Sequence, residues 1–269
     1  MVKKLLKQEI TYYIRSLTPV FIILMGISIL GRITHIFESD SWIYEIIDNA
    51  SVAVYAVSVL AALGFATAFI IIRYYKNMFT GEGYLTLTLP VSYEQHLITK
   101  LLSAVLVSFT SLVIVLISCV VFLGSEWMVE IYKAAAYLAQ HIIEKVGANF
   151  GLYVIEFLIL LIVGTITEIL NYYMCISLGQ TFKKRRILAA IGIYYGLYLV
   201  VQVGTIIVST ILTLAWENVD FEVIEKWLSA NYIGLIHGGM IGGIIMSIIL
   251  SCVMFLICRF VLKNKLNLE

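Results

Sequence analysis

The sequence predicts an all-α integral membrane protein with six spanning helices, and three observations predict it. The chain of 269 residues is 61% hydrophobic and 13% charged, and its mean hydropathy of +0.99 lies far above that of a soluble domain. Six apolar runs reach the about 20 residues that an α-helix needs to cross the hydrocarbon of a bilayer. The basic residues, finally, are shared unevenly among the segments that join those runs. A net charge of +1 offers no field to attract nucleic acid.

The first run, Leu17–Phe37, follows a basic start carrying Lys3, Lys4, Lys7 and Arg15. It is too long for a signal peptide and leads into Arg32, His35 and Glu38 rather than a small-residue cleavage site, so it reads as a retained span. Ahead of it, Leu6, Ile10, Tyr13 and Leu17 share one helical face, and Lys4, Lys7, Gln8, Thr11 and Arg15 the other. This pattern predicts an N-terminal amphipathic helix in the inner membrane interface; the alternative is a helical extension of span one, with Pro19 at the head of that span.

The second run, Ala50–Ile72, and the third, Leu101–Leu123, contain no charged residue. In the loop between them, Ser92 followed by Tyr93, Glu94 and Gln95 reads as an N-cap with an acidic first turn that launches the third span. After span three, Met128, Ile131, Ala135, Leu138 and Ile142 recur at helical spacing, with Glu130, Lys133, Gln140 and Glu144 on the other side. An amphipathic external helix lying on the protein or on the bilayer is expected there. The remaining runs are Leu152–Phe182, the charge-free Ile187–Trp216, and Tyr232–Cys258. No repeat, low-complexity stretch or linker divides the chain, so residues 1–269 are read as one transmembrane domain.

Lys and Arg near span ends favour the cytoplasmic side. With the N-terminus inside, six spans place 14 of the 18 there: four at the N-terminus, then Arg73, Lys76 and Lys100, then Lys183–Arg186, then Arg259, Lys263 and Lys265. Arg32, Lys133, Lys145 and Lys226 fall outside. The expected location is the cell membrane, with both termini cytoplasmic.

Enzymatic readings fail on their motifs. The sequence contains no G-x-x-x-x-G-K-[ST] phosphate loop, no H-E-x-x-H and no G-x-S-x-G, and its four histidines fall in different segments. Cys119, Cys175, Cys252 and Cys258 sit in or at the end of apolar runs without C-x-x-C spacing, which implies neither a metal site nor a disulfide framework. If ATP is used, another chain must hold and hydrolyse it.

The loop Arg73–Lys100 is the most informative stretch. Thr80-Gly-Glu-Gly-Tyr84, then Thr88-Leu-Pro-Val-Ser92, then Thr99-Lys-Leu-Leu102, resembles the loop after the second span in type-2 ATP-binding-cassette (ABC) permeases of Gram-positive bacteria. The resemblance implies a short cytoplasmic coupling helix between spans two and three, comprising Tyr75, Lys76, Asn77, Met78, Phe79, Thr80, Gly81, Glu82, Gly83 and Tyr84, docked on an ABC ATPase subunit. It also implies that ATP and Mg belong to that partner, with no cofactor on this chain, and that two permeases, this one and a second copy or a relative, work with two ATPases. Related permeases export antimicrobial or cytolytic peptides or confer drug resistance. Spans almost free of charge favour an amphipathic or hydrophobic peptide over a small anion as cargo.

Two further constellations stand out. Glu168 lies well inside span four with Thr165 and Asn171 on the same side, and Gln202 in span five is the nearest polar companion. An ionisable group at that depth lines a translocation pathway, or serves as a protonated structural acid; as a proton-coupling site it would make the protein an ion-coupled secondary transporter instead. In span six, Gly234, Gly238 and Gly242 form one ridge of small residues, and Gly239 and Gly243 begin a second. Such ridges suit close helix packing, within the subunit or across a dimer.

Overall fold

The computed structural model describes residues 2–37, 41–83, 91–216 and 221–264, and among these every regular element is helical. The elements are α1 (Val2–Ile36), α2 (Trp42–Phe79), α3 (Tyr93–Val146), a 3₁₀ turn (Gly147–Asn149), α4 (Phe150–Gly179), α5 (Arg186–Trp216) and α6 (Phe221–Asn264). Each of α1 to α6 contains a stretch long and apolar enough to cross a membrane, which makes this a multi-pass membrane protein. Lipid supplies no hydrogen bonds, so the backbone of each stretch must satisfy itself, and a helix does so. Hydroxyls inside the helices follow the same rule, as where Thr67 donates to Leu63 O and Ser111 to Val107 O.

The contacts gather into two units, residues 1–145 and 146–269. In unit 1, Leu24 of α1, Tyr55 and Ala62 of α2, and Val115 and Phe122 of α3 form a buried cluster. The Tyr55 ring stacks on Phe122 with centroids 4.1 Å apart, and its hydroxyl lies 2.9 Å from Ser118 Oγ. Gly31 lets Phe122 reach the α1 backbone, since a Cβ there would overlap the ring.

Three expectations for this unit are modified. α1 runs unbroken from Val2 through Pro19 to Ile36, so the N-terminal segment is the first turns of span one and not a helix of its own. Its faces do divide as the sequence indicates: Tyr13 and Leu17 are buried and Lys4, Lys7, Gln8, Thr11 and Arg15 are exposed. α2 continues to Phe79, two turns past the predicted end of span two. The segment after span three is a continuation of α3 beyond a break at Gly124, whose φ of 72° is reached without strain only by a residue lacking Cβ. At that break Arg32 packs over Gly124 and its Nη1 donates to Leu123 O at 3.3 Å, one of the carbonyls the interruption leaves without a helical partner. Beyond it, Met128 is half-buried and Ile131, Ala135, Leu138 and Ile142 are exposed.

The N-cap expectation holds. Ser92 Oγ accepts from the Gln95 amide while Gln95 Oε1 accepts from the Ser92 amide, both at 3.3 Å, a reciprocal capping box that starts α3 at Tyr93.

In unit 2, α4 packs against both α5 and α6. Burial is concentrated in the second half of α4, from Ile169 to Gly179, and in Cys258, Val261 and Leu262 near the end of α6. Gly179 sits against the Ala190 backbone, which closes the α4–α5 turn tightly. Thr167 Oγ1 lies 2.8 Å from Ser251 Oγ and ties α4 to α6.

Candidate functional site

The most elaborate polar arrangement lies where the start of α1, the end of α2 and the start of α3 meet. Helical phase puts Glu9 one turn before Tyr13 on the buried face of α1. Arg73 and Asn77, one turn apart near the end of α2, and Lys100, two turns into α3, converge on its carboxylate. Glu9 Oε2 accepts from Arg73 Nε at 3.0 Å; Oε1 accepts from Asn77 Nδ2 at 2.8 Å and Lys100 Nζ at 3.0 Å. The three charged side chains are only 9%, 10% and 4% exposed for Glu9, Arg73 and Lys100.

Two cations on one carboxylate leave a surplus positive charge, and Glu82 offsets it. Glu82 Oε2 lies 3.5 Å from Arg73 Nη1, and its side chain is largely in the open. The Arg73 guanidinium also lies over the Tyr12 ring, 3.9 Å from its centroid, a cation–π contact. His96 is buried beside the knot, and its Nε2 has no hydrogen-bond partner among the described residues. With its carboxylate lone pairs committed to three donors, Glu9 is poorly placed to act as a base. Among the described residues no cluster of three His, Cys, Asp or Glu could hold a metal. What the arrangement does is bind three helix ends into one body, and removing Glu9 would strand two buried cations.

The predicted coupling residues divide at this knot. Tyr75, Lys76, Asn77, Met78 and Phe79 form the last turn and a half of α2 and not a separate short helix. Asn77, Met78, Phe79 and Gly83 are buried inside unit 1, whereas Lys76, Gly81 and Glu82 are exposed. The chain leaves the helix at Thr80, in extended conformation (φ −109°, ψ −174°), and a new helical turn begins at Gly81. Tyr84 lies outside the described residues.

The hydrogen bonds of the span-four candidates stay within α4. Glu168 is exposed and hydrogen-bonds Tyr172, one turn along its own helix. Thr165 donates to Leu161 O of the same helix, Asn171 Oδ1 lies 3.7 Å from Cys175 Sγ, and Gln202 lies exposed on α5. Of the glycine ridges, Gly234, Gly238, Gly239 and Gly242 face open space; Gly243 alone of the five touches a neighbour, Leu160 Cδ1, at 3.5 Å from a Cβ placed there. Packing within the subunit therefore explains only the second ridge, through Gly243 and the Ser247 and Ser251 contacts with Thr167.

Two carboxylate–histidine pairs went unread in the sequence: His35 Nδ1 with Asp48 Oδ1 at 2.9 Å between α1 and α2, and His237 Nδ1 with Glu156 Oε1 at 2.7 Å between α4 and α6. Glu9 was missed as well, although an acid at i−4 from Tyr13, on the apolar face of an otherwise basic segment, was the available signal. No family model, curated protein or solved structure matches the chain.

Proposed function

We propose that the protein is the membrane-spanning permease subunit of an ATP-driven exporter of the ABC class, oriented with both termini and the Glu9 knot in the cytoplasm. The observation that carries this reading is the Glu9–Arg73–Lys100 knot, placed at the root of the loop whose residues resemble the ABC coupling loop. A subunit that takes work from a cytoplasmic ATPase needs an exposed handle joined rigidly to several spans. Lys76 and Glu82 are such a handle, and Glu82 touches the Arg73 guanidinium, which ties α2 to Glu9 of α1, the same carboxylate that takes Lys100 of α3. A push on the turn at Gly81 would then move three helix ends together, tilting the spans and alternately opening the pathway to either side. An amphipathic or hydrophobic peptide is the favoured cargo, moved outward by two permeases and two ATPases.

The test is the charge reversal Glu82→Lys, which places a third cation beside Arg73 and Lys100 on the exposed turn. Cargo-stimulated ATP hydrolysis in the reconstituted complex should fall while the variant still folds and reaches the membrane; stimulation equal to that of the parent would count against the coupling role. The ion-coupled alternative needs a proton relay from Glu168. Its hydrogen-bond partner in α4 is a tyrosine hydroxyl rather than a second acid or a base.

A further inference from the structure

His96 belongs to the Glu9 knot by position but not by hydrogen bonding. It precedes Lys100 by four residues, one turn of α3, and so shares the face of that helix that turns into unit 1. Both are buried, His96 at 2% exposed and Lys100 at 3%. Around them stand Glu9 and Tyr13 of α1, Arg73 and Asn77 of α2, and Glu82 on the turn that follows α2. The charges that act on His96 are those of Lys100 and Glu9. Glu94, two residues earlier, lies on the other side of α3.

A neutral imidazole fits this place at the cost of one unmatched nitrogen, Nε2. An imidazolium does not fit. It carries a donor on each nitrogen, and the two oxygens of Glu9 already take three donors. It would also be a third cation, with Arg73 and Lys100, about a single buried carboxylate. Burial and the Lys100 ammonium accordingly hold the His96 pKa below its ordinary 6.5, and the pull of Glu9 does not make up the difference. The proton therefore binds better to an open knot, where water reaches the ring, and shifts the balance toward it. Which contact yields follows from the bonding. Arg73 has Glu9 Oε2 to itself and is braced by Tyr12 and Glu82, whereas Lys100 shares Oε1 with Asn77 and stands on the same helix face as His96.

We propose that His96 is a pH switch built into the knot: when it takes a proton, Lys100 gives up Glu9 and the start of α3 comes away from the joined ends of α1 and α2. The closed knot keeps its full stability above the ordinary histidine value of 6.5 and loses it as the pH falls further. Glu9 follows only later. Burial raises its pKa, but Lys100 and Arg73 outweigh burial and hold it below 4.5. In the exporter reading the same event slackens the handle at Glu82 and slows the cycle in an acid cytoplasm. That consequence rests on the reading; the opening of the knot does not.

The experiment follows position 99, where Thr99 is 2% exposed beside Lys100, in the full chain purified in mild detergent. Thr99→Cys is treated with a pyridyl disulfide, which modifies thiols in acid as well as at neutral pH, from about pH 7.5 to about pH 4. Gly81→Cys, where an added side chain meets open space, is the reference for thiol reactivity. Modification at each position is read by peptide mass spectrometry and expressed as the ratio of the two. The ratio should rise roughly three- to tenfold on acidification, with a midpoint between 6.5 and 4.5, and should stay flat across that window when His96→Gln is added. A flat ratio with His96 in place, an equal rise in His96→Gln, or a midpoint below 4.5, which would assign the change to Glu9, overturns the proposal. Should His96→Gln fail to fold, the midpoint with His96 in place decides. No ATPase enters the assay, so a switch without an ATPase partner would contradict the exporter reading alone, and a partner without a switch would contradict this proposal alone.

Discussion

Residues 1–145 bury side chains at both ends of their helices and between them, from the Glu9 knot through Leu24 and Ala62 to the stack of Tyr55 on Phe122. Residues 146–269 bury theirs chiefly around the α4–α5 turn and the end of α6. In the most apolar stretches of α1, α2 and α3, 22%, 22% and 28% of residues are buried, against 0%, 0% and 6% in α4, α5 and α6. Without a hydrophobic driving force between helices in lipid, packing must come from polar ties and close contacts. Unit 1 has both along its length, whereas unit 2 has polar ties along α4 and α6 but buries side chains chiefly at one end.

The largest test of this contrast is Glu9→Leu. It leaves Arg73 and Lys100 buried without their carboxylate and should destabilise unit 1 by about 3–5 kcal/mol. Thermal unfolding in detergent, followed by cysteine accessibility at Cys119, reads it. Glu156→Leu, whose histidine partner is almost half exposed, should lower the transition in unit 2 by much less. Equal losses would erase the distinction. Phe122→Ala should come next or match it, at about 3–5 kcal/mol, because the ring fills the space between Gly31 and Tyr55.

Smaller effects sharpen the account of unit 2. Gly179→Val should cost about 1–3 kcal/mol, since its side chain would collide with the Ala190 backbone. The same change at Gly234 meets open space and should leave the isolated chain unaltered. Smallest is Tyr55→Phe, which removes the hydroxyl next to Ser118 and should lower unit 1 stability by about 1 kcal/mol in the same unfolding assay.

Much of this architecture is legible in the sequence because it depends on local quantities. Hydropathy locates all six spans; the start of α5 is read to within a residue, while α2 and α6 overrun their apolar cores at both ends. The Ser92–Gln95 capping box is equally local. The knot is not, since Glu9 meets Arg73 and Lys100 across 64 and 91 residues, and no periodicity carries that pairing. Tyr75–Phe79 looks like a loop because it is polar and aromatic, but burial against unit 1 keeps it helical and turns Asn77, Met78 and Phe79 inward. Gly124 reads as the end of an apolar run, and its φ of 72° breaks α3 into two helical stretches with Arg32 packed at the break.

The central claim is that the exposed turn beside the Glu9 knot is the handle of an ATPase. Purification of the tagged full chain from its own cells in mild detergent, with mass spectrometry of whatever elutes in stoichiometric amount, tests it most directly. The account predicts a partner carrying a G-x-x-x-x-G-K-[ST] phosphate loop, lost or weakened in Glu82→Lys. A chain that elutes with no such partner, and that transports in the absence of ATP with activity abolished by Glu168→Gln, would contradict it.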